Sequence, residues 1–347
     1  MLTERQQYVE YNTNKSKIHY ITTGVPQGSI LGPLLYLIYM NDIQNCSDFF
    51  KYILYADDTT LFNPLNNYSN SNDDELINNE INKVQNWLCA NKLSLNIKKT
   101  KFMIFHTNQR KLEDKIPKIQ INNVPIEHVK EFNFLGITLD ENLTWNCHIN
   151  KIAMKLSKYI GILNKLKHYL PSYILKTLYD SLILSQLNYG ILAWGHNLNR
   201  ILKLQKKAIR TITNSKYNSH TDPLFHALNT LKITDIFKLN VLKFYYKHEQ
   251  NLLPCYLQSL DFSTIENIHH HNTRNKTAIV TYKTNLNLTR NTIKHTVPKI
   301  VNGTESNIKA KIHTHSLQGF AWYIKQNFIK NYQVNCKLEN CYICNSY

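Results

Sequence analysis

The sequence predicts an α+β chain in which strands and helices mix over roughly the first 142 residues and helices dominate thereafter. Three observations carry this. Short strand-like runs in the first part are separated by turn residues, among them Asp57-Asp58 and Asn122-Asn123. From Trp145 onward the apolar spacing changes to the helical period. The 347 residues, 43% hydrophobic and 11% aromatic, suffice for two or three compact units with ample core.

The elements follow in order. Tyr8 to Asn12 and Lys17 to Ile21 alternate around "TNKS" and predict a hairpin. In "GVPQGSILGPLLYLIYMNDI", Gly24 to Ile43, two glycines and a proline form a tight loop and Ser29 caps a helix. The apolar residues Ile30 to Ile38 predict that this helix is buried nearly all round, with Pro33 tolerated in its first turn. "YILYADDTTLF", Tyr52 to Phe62, reads as a hairpin. A helix is expected from about Asp73 to Asn91, with Asn72 and Glu75 in capping-box spacing and Leu76, Ile77, Ile81, Val84, Trp87 and Leu88 on one face. Extended chain returns at Phe102 to Phe105, two strands meet at Asn122-Asn123, and "FNFLGITLD" supplies another.

Trp145, Ile149, Ile152, Leu156, Tyr159, Leu163 and Leu166 then trace one face of a long helix that stops at Pro171. Further helices are expected over about 172–192 and 198–213, joined by short loops into an antiparallel bundle. The tail shows helical patches near 224–249 and 316–331. The polar stretch between them, 263–311, reads as a mobile linker. Trp87, Trp145, Trp194 and Trp322 fall on apolar helical faces, as core residues do.

Lys and Arg outnumber Asp and Glu by 41 to 24, a formal net charge of +17, which calls for a polyanionic partner. Nucleic acid leads. A membrane fits less well, because the longest apolar run, Ile30 to Met40, is too short to span and is broken by Gly32 and Pro33. Met1 to Tyr11 is polar, unlike a signal peptide, and Cys46, Cys89, Cys147 and Cys255 are scattered singly. An intracellular location, nucleus or cytoplasm, is expected.

Asp57 and Asp58 interrupt a strand-forming run. An acidic hairpin turn is the ordinary explanation, since Asp is a common turn residue. The alternative is a metal site: nucleotide joining uses two divalent metals held by carboxylates at a rigid turn, and magnesium, or manganese in its place, suits oxygen ligands shared with phosphates. Ala56 would let a primer end approach, while Tyr55 and Tyr52 would anchor the strand. Gly24, Gln27 and Gly28 offer close-approaching backbone and an amide for base or template.

"GVPQGSILGPLL", "YADD", "LSLNIKKTKFMIF" and "FNFLGITLDENLTWNCHI", in this order and spacing, resemble successive motifs of the reverse transcriptases of non-LTR (LINE-type) retrotransposons, the jockey-like group especially. "QLNYGILAWG" and "LNRILKLQKKAIRTIT" resemble that family's thumb and following segment, and "TRNK" and "SLQGFAWYIKQNFIKNY" its C-terminal end. The resemblance implies a partial palm at 1–142, a helical thumb at 143–214 and a C-terminal segment at 215–347. It implies Asp57 and Asp58 as magnesium ligands, Gln27 and Gly28 as contacts to template and nucleotide, Lys99 near the triphosphate, and a primer-gripping hairpin around Phe134 to Gly136. RNA template, DNA primer and deoxynucleoside triphosphates are the implied partners. The family's earlier metal-binding aspartate has no counterpart before Gly24, so the chain alone is expected to be inactive. Asp42 reads as a helix-end cap rather than a substitute. A non-catalytic nucleic-acid-binding remnant or domesticated fragment is the competing reading.

Lys151, Lys155, Lys158 and Lys165 form one basic stripe, and Arg200, Lys203, Lys207 and Arg210 a second, opposite Ile201, Leu204, Ala208 and Ile212. Such stripes grip phosphates without reading sequence. Cys336, Cys341 and Cys344 suit zinc with His313 or His315 as a fourth ligand, against free thiols near the chain end. His269, His270 and His271 read as a loop triplet.

Overall fold

A computed structural model describes residues 5–21, 24–25, 28–64, 71–107, 109, 116–268, 276–284, 287–305, 308 and 311–334. The fold is α+β, as the sequence predicts, and divides into two compact units: 1–103 with 108–129, and 104–107 with 130–347. The units thus divide at residues 129–130, upstream of the boundary at 142 drawn from the sequence. No described helix is long and apolar enough to cross a membrane.

In the first unit, β1 (Arg5–Gln7) pairs with β4 (His19–Ile21), and β2 (Glu10–Tyr11) with β3 (Asn14–Lys15), completing the expected opening hairpin. Helix α1 (Gly32–Met40) has Pro33 in its first turn, and Ser29 Oγ accepts the Gly32 N–H at 3.1 Å. The expectation of all-round burial is corrected: Ile30 is 96% exposed and Leu37 66%, and Met40 is the residue of this helix that is fully buried. Among the described residues, the apolar packing of α1 falls on its Tyr36 and Met40 side, while Tyr39 donates its hydroxyl to the Asn91 carbonyl. That side packs with Ile43, Val84, Tyr52, Leu61 and Trp87 in a small core between the helices and the next hairpin.

That hairpin is β5 (Lys51–Tyr55) with β6 (Asp58–Phe62). Helix α2 (Ser71–Ala90) begins two residues before the expected start, which places Asn72 in its first turn rather than ahead of it. Asn78 of α2 ties down β8 (Gln120–Ile121), accepting the Gln120 N–H and donating to the Lys118 carbonyl, each at 2.9 Å. β8 returns as β9 (Val124–Pro125) through Asn122 and Asn123, both at positive φ, as a tight hairpin turn requires. β7 (Lys101–Phe102) pairs in parallel with β10 (Glu127–His128).

The second unit opens with hairpin β11 (Glu131–Phe134) and β12 (Ile137–Asp140), turning through Leu135 and Gly136, both at positive φ. The buried Asp140 carboxylate accepts the Thr144 N–H at 2.9 Å and the Trp145 N–H at 2.8 Å, organising the start of α3 (Asn146–Leu166). α4 (Ser172–Tyr179) runs through one π-helical turn, Asp180–Leu184, into α5 (Ser185–Asn188). The expected helix to 192 stops there, because Tyr189 is extended and Gly190 left-handed at φ +58°. α6 (Ile191–Trp194), α7 (Asn199–Ile212), α8 (Asp222–Ala227) and α9 (Ile233–Glu249) follow.

One hydrophobic core joins these helices to the tail, from Ile149 through Trp194 and Phe225 to Tyr332 of the C-terminal helix Leu317–Val334. Gln205 of α7 is fully buried at its centre, donating to Tyr179 Oη and the Leu231 carbonyl, each at 2.9 Å, and accepting the Ile233 N–H at 2.8 Å. Part of the stretch 263–311 read as a linker is folded, while 269–275, 285–286, 306–307 and 309–310 lie outside the described residues. Helix Ile293–Asn302 lies within the stretch and buries Thr296, Val297 and Val301, and Ile308 is buried beyond. These apolar residues are too widely spaced among Asn, Thr and His to stand out in composition. Trp322 is corrected too, being 64% exposed where Trp194 is fully buried.

Candidate active site and nucleic-acid interface

In the first unit, Tyr55 and Asp58 close the β5–β6 hairpin across a two-residue turn of Ala56 and Asp57. Ala56 sits at φ +48°, a region alanine enters only at a cost, and such strain gathers at functional sites. Asp57 and Asp58 are exposed and ion-paired to no described residue. The Asp57 charge still reaches α1, where Tyr36 has its phenol pKa raised, first by burial and then by that carboxylate. Tyr52 anchors the strand: it is half-buried, its hydroxyl lacks a partner among the described residues, and burial raises its pKa. Tyr55 does not share that role, its side chain being 62% exposed.

Gly24 and Gly28 both lie at φ +78° with open space where a Cβ would stand, so their requirement is the backbone conformation. Gln27 lies outside the described residues. Lys99 is exposed in a turn held by Asn96, whose side-chain oxygen accepts the Lys99 N–H at 3.2 Å. No hydrogen bond among the described residues joins Lys99, Gly24 or Gly28 to the aspartates. The Asp42 carboxylate accepts the Trp87 indole N–H at 3.4 Å and makes no side-chain capping bond to the 3-10 turn that it precedes, so the end-cap role read from the sequence is replaced by a tie to α2. Among the described residues no group of three or more His, Cys, Asp or Glu side chains stands ready to hold a metal. Two adjacent exposed carboxylates nevertheless fit magnesium, which is commonly held by one or two carboxylates and completed by water and phosphate oxygens.

In the second unit, α3 packs beside α7, and Lys151, Lys155, Lys158 and Lys165 of the first with Arg200, Lys203 and Lys207 of the second are exposed. Arg210 is half-buried, its Nε donating to the Ser219 carbonyl at 3.0 Å. Residues 142–221 carry 12 Lys and Arg against one acidic residue, Asp180. Three of these lysines, Lys151, Lys155 and Lys158, line a cleft of about 370 Å3 together with Asn133 and Thr138 of the β11–β12 hairpin and Gln186 of α5.

The cleft is held open by contacts that sequence reasoning did not assign. Tyr189 Oη donates to the Leu135 carbonyl at 2.6 Å, fixing the hairpin turn, and Trp194 Nε1 donates to the Tyr189 carbonyl at 2.9 Å. A Cβ on Gly190 would lie 2.3 Å from Ile137 Cδ1, so the glycine of "NYG" admits the hairpin as well as the bend. His148 Nδ1 accepts the Thr138 N–H at 3.2 Å, and burial, then Lys155 and Lys151, lower its pKa. The visible signal was the Tyr-Gly pair before a Trp in an otherwise helical run. Cys336, Cys341, Cys344 and His269 to His271 lie outside the described residues.

Residues 2–139 match the family described as reverse transcriptase (RNA-dependent DNA polymerase). The chain is 28% identical over 268 residues to the RNA-directed DNA polymerase from mobile element jockey of Drosophila melanogaster, covering 73% of this chain and 28% of that protein. It is 26% identical over 246 residues to the probable RNA-directed DNA polymerase from transposon X-element of the same species, covering 67% of this chain and 26% of that protein. A third relative, the jockey polymerase of Drosophila funebris, is 27% identical over 239 residues, 64% of this chain and 25% of its own length. The chain thus spans little more than a quarter of the curated relatives it matches. These similarities uphold the LINE-type resemblance carried by the motifs.

Proposed function

We propose that this chain, whose residues 2–139 match the reverse transcriptase family, is part of an RNA-directed DNA polymerase of a non-LTR mobile element. The observation that carries the reading is the Asp57-Asp58 pair, exposed on a tight, strained hairpin turn inside the matched segment. In this reading Asp57 and Asp58 hold magnesium, which when bound supplies Lewis-acid stabilisation of charge in nucleotidyl transfer. Gly24, Gln27 and Gly28 position template and nucleotide, Tyr55 and Ala56 border the primer end, and Lys99 faces the triphosphate. The lysine-lined cleft and the stripes of α3 and α7 hold the template-primer duplex by its phosphates. RNA template, DNA primer and deoxynucleoside triphosphates are the partners, and the nucleus or cytoplasm the place of action.

The test is primer extension on an RNA template in magnesium, using the product of the complete reading frame that contains residues 1–347. Extension is expected to be lost in Asp57→Asn and kept in Asp42→Asn. No extension, or extension that survives Asp57→Asn, overturns the reading. Residues 1–347 alone are expected to be inactive, since positioning supplies much of the rate in phosphoryl transfer and two carboxylates are only part of the required cage. The competing reading is a non-catalytic nucleic-acid-binding remnant or domesticated fragment, for which salt-sensitive binding that ignores Asp57→Asn, without extension by the complete product, is the expected result.

A further inference from the structure

The far end of the α3–α4–α7 bundle, where the basic stripes end at Lys165 and Arg210, carries exposed tyrosines that the duplex reading does not use. Tyr169 and Tyr173 flank the Pro171 turn between α3 and α4, and they are 84% and 73% exposed. Tyr217 follows α7 and is 86% exposed. Ser172 Oγ donates to the Ile212 carbonyl at 3.3 Å, which ties the α3–α4 turn to the end of α7. The Arg210 guanidinium lies 6.0 Å from the Tyr217 ring centre, a cation–π shelf already formed, and its Nε is held by the Ser219 carbonyl.

Lysines lie close to these rings along the chain. Lys165, Lys167 and Lys216 belong to the same turns. The acidic residue of the region, Asp180, is engaged by Lys176 at 2.6 Å and leaves the other charges uncompensated. Scattered exposed tyrosines need no explanation. Three on adjoining turns at one end of a bundle, in a stretch, 142–221, whose one acidic residue is already engaged by a lysine, are a different arrangement. Rings stack on bases that are unpaired, whereas a duplex hides its base faces and offers phosphates alone.

We infer that Tyr169, Tyr173 and Tyr217, with Lys165, Lys167, Arg210 and Lys216, form a stacking platform for single-stranded nucleic acid, separate from the lysine-lined cleft. Lys151 in the cleft and Leu166 at the end of α3 are about 22 Å apart along the helix, so the platform meets a strand several nucleotides from one held in the cleft. The inference needs the basic composition of this region and neither metal nor polymerisation, so it stands or falls apart from the polymerase reading.

The test compares residues 1–347 with a Tyr169→Ala/Tyr173→Ala/Tyr217→Ala variant by fluorescence anisotropy, using a labelled single-stranded oligouridine and a blunt RNA–DNA duplex of equal length. Single-strand affinity is expected to fall at least about tenfold, with duplex affinity changed less than about twofold and the salt dependence of both unchanged. The corresponding triple Phe variant keeps the rings and is expected to keep the affinity. On the unaltered protein, a photoreactive 4-thiouridine oligomer is expected to cross-link to peptides containing Tyr169, Tyr173 or Tyr217, a readout that does not depend on a variant folding. Equal losses for single strand and duplex, no loss at all, or cross-links confined elsewhere overturn the inference.

Discussion

Gln205→Leu removes one buried amide and keeps most of its volume, which makes its cost readable from the hydrogen bonds it breaks. The Ile233 N–H at the first turn of α9, the Leu231 carbonyl and the Tyr179 hydroxyl would all lose their Gln205 partner in a site with no exposure. A buried polar group left unpaired costs about 1–3 kcal/mol, and the leucine returns part of that through its apolar contacts, so the net loss is roughly 3–5 kcal/mol. Urea unfolding followed by far-UV circular dichroism reads it as a lower midpoint. Adding Tyr179→Phe deletes one of the orphaned groups, so the double variant should be less destabilised than the sum of the two single changes. A Gln205→Leu midpoint within about 0.5 kcal/mol of the unaltered protein would refute the claim that this amide joins α4, α7 and α9 into one core.

Two further predictions concern titrating groups near the hairpin. The Cys147 thiol donates to Glu131 Oε1 at 2.8 Å, and that bond, then burial and the charges of Glu131 and Asp140, push its pKa from 9.0 up to about 11. Its thiolate fraction at neutral pH is therefore about a hundredfold below normal, and iodoacetamide should alkylate it more slowly than the exposed Cys89 or Cys255, with Glu131→Gln accelerating it. Mass spectrometry of tryptic peptides checks this; an unchanged rate in Glu131→Gln contradicts it. His148 has a folded pKa below its ordinary 6.5, so the unfolded chain binds more protons and its stabilising contribution, complete above 6.5, is lost as pH falls below that value. Urea midpoints should drop between pH 7.5 and 5, and less so in His148→Gln, while identical pH profiles would contradict the assignment.

Much of this molecule was legible in the sequence, and the failures have physical causes. Positive-φ asparagines at 122 and 123 and the helical period from Ile149 to Leu163 are local signals, and both appear as expected. The Asp57-Asp58 turn was visible as a break in a strand run, and it lies on a hairpin as read. Burial of α1 was not legible, because an apolar helix says that a partner is wanted without saying that one is present. Val297 and Val301 were lost in polar composition, yet they complete a core that spans Ile149 to Tyr332. The roles of Tyr189, Asp140 and Gln205 are tertiary: each serves a residue from another element, and no local pattern marks it.

In the proposed reading nucleic-acid binding depends most on the basic face of α3, and its salt dependence is the most direct measurement. Affinity of residues 1–347 for an RNA–DNA duplex is measured by anisotropy from 50 to 200 mM KCl, beside a Lys151→Gln/Lys155→Gln/Lys158→Gln variant. Each phosphate contact contributes about 0.9 to the slope of log affinity against log salt, so the variant should lose about 2 to 3 units of slope and bind more weakly throughout. No binding at the lowest salt, or equal slopes for the two proteins, would contradict the account.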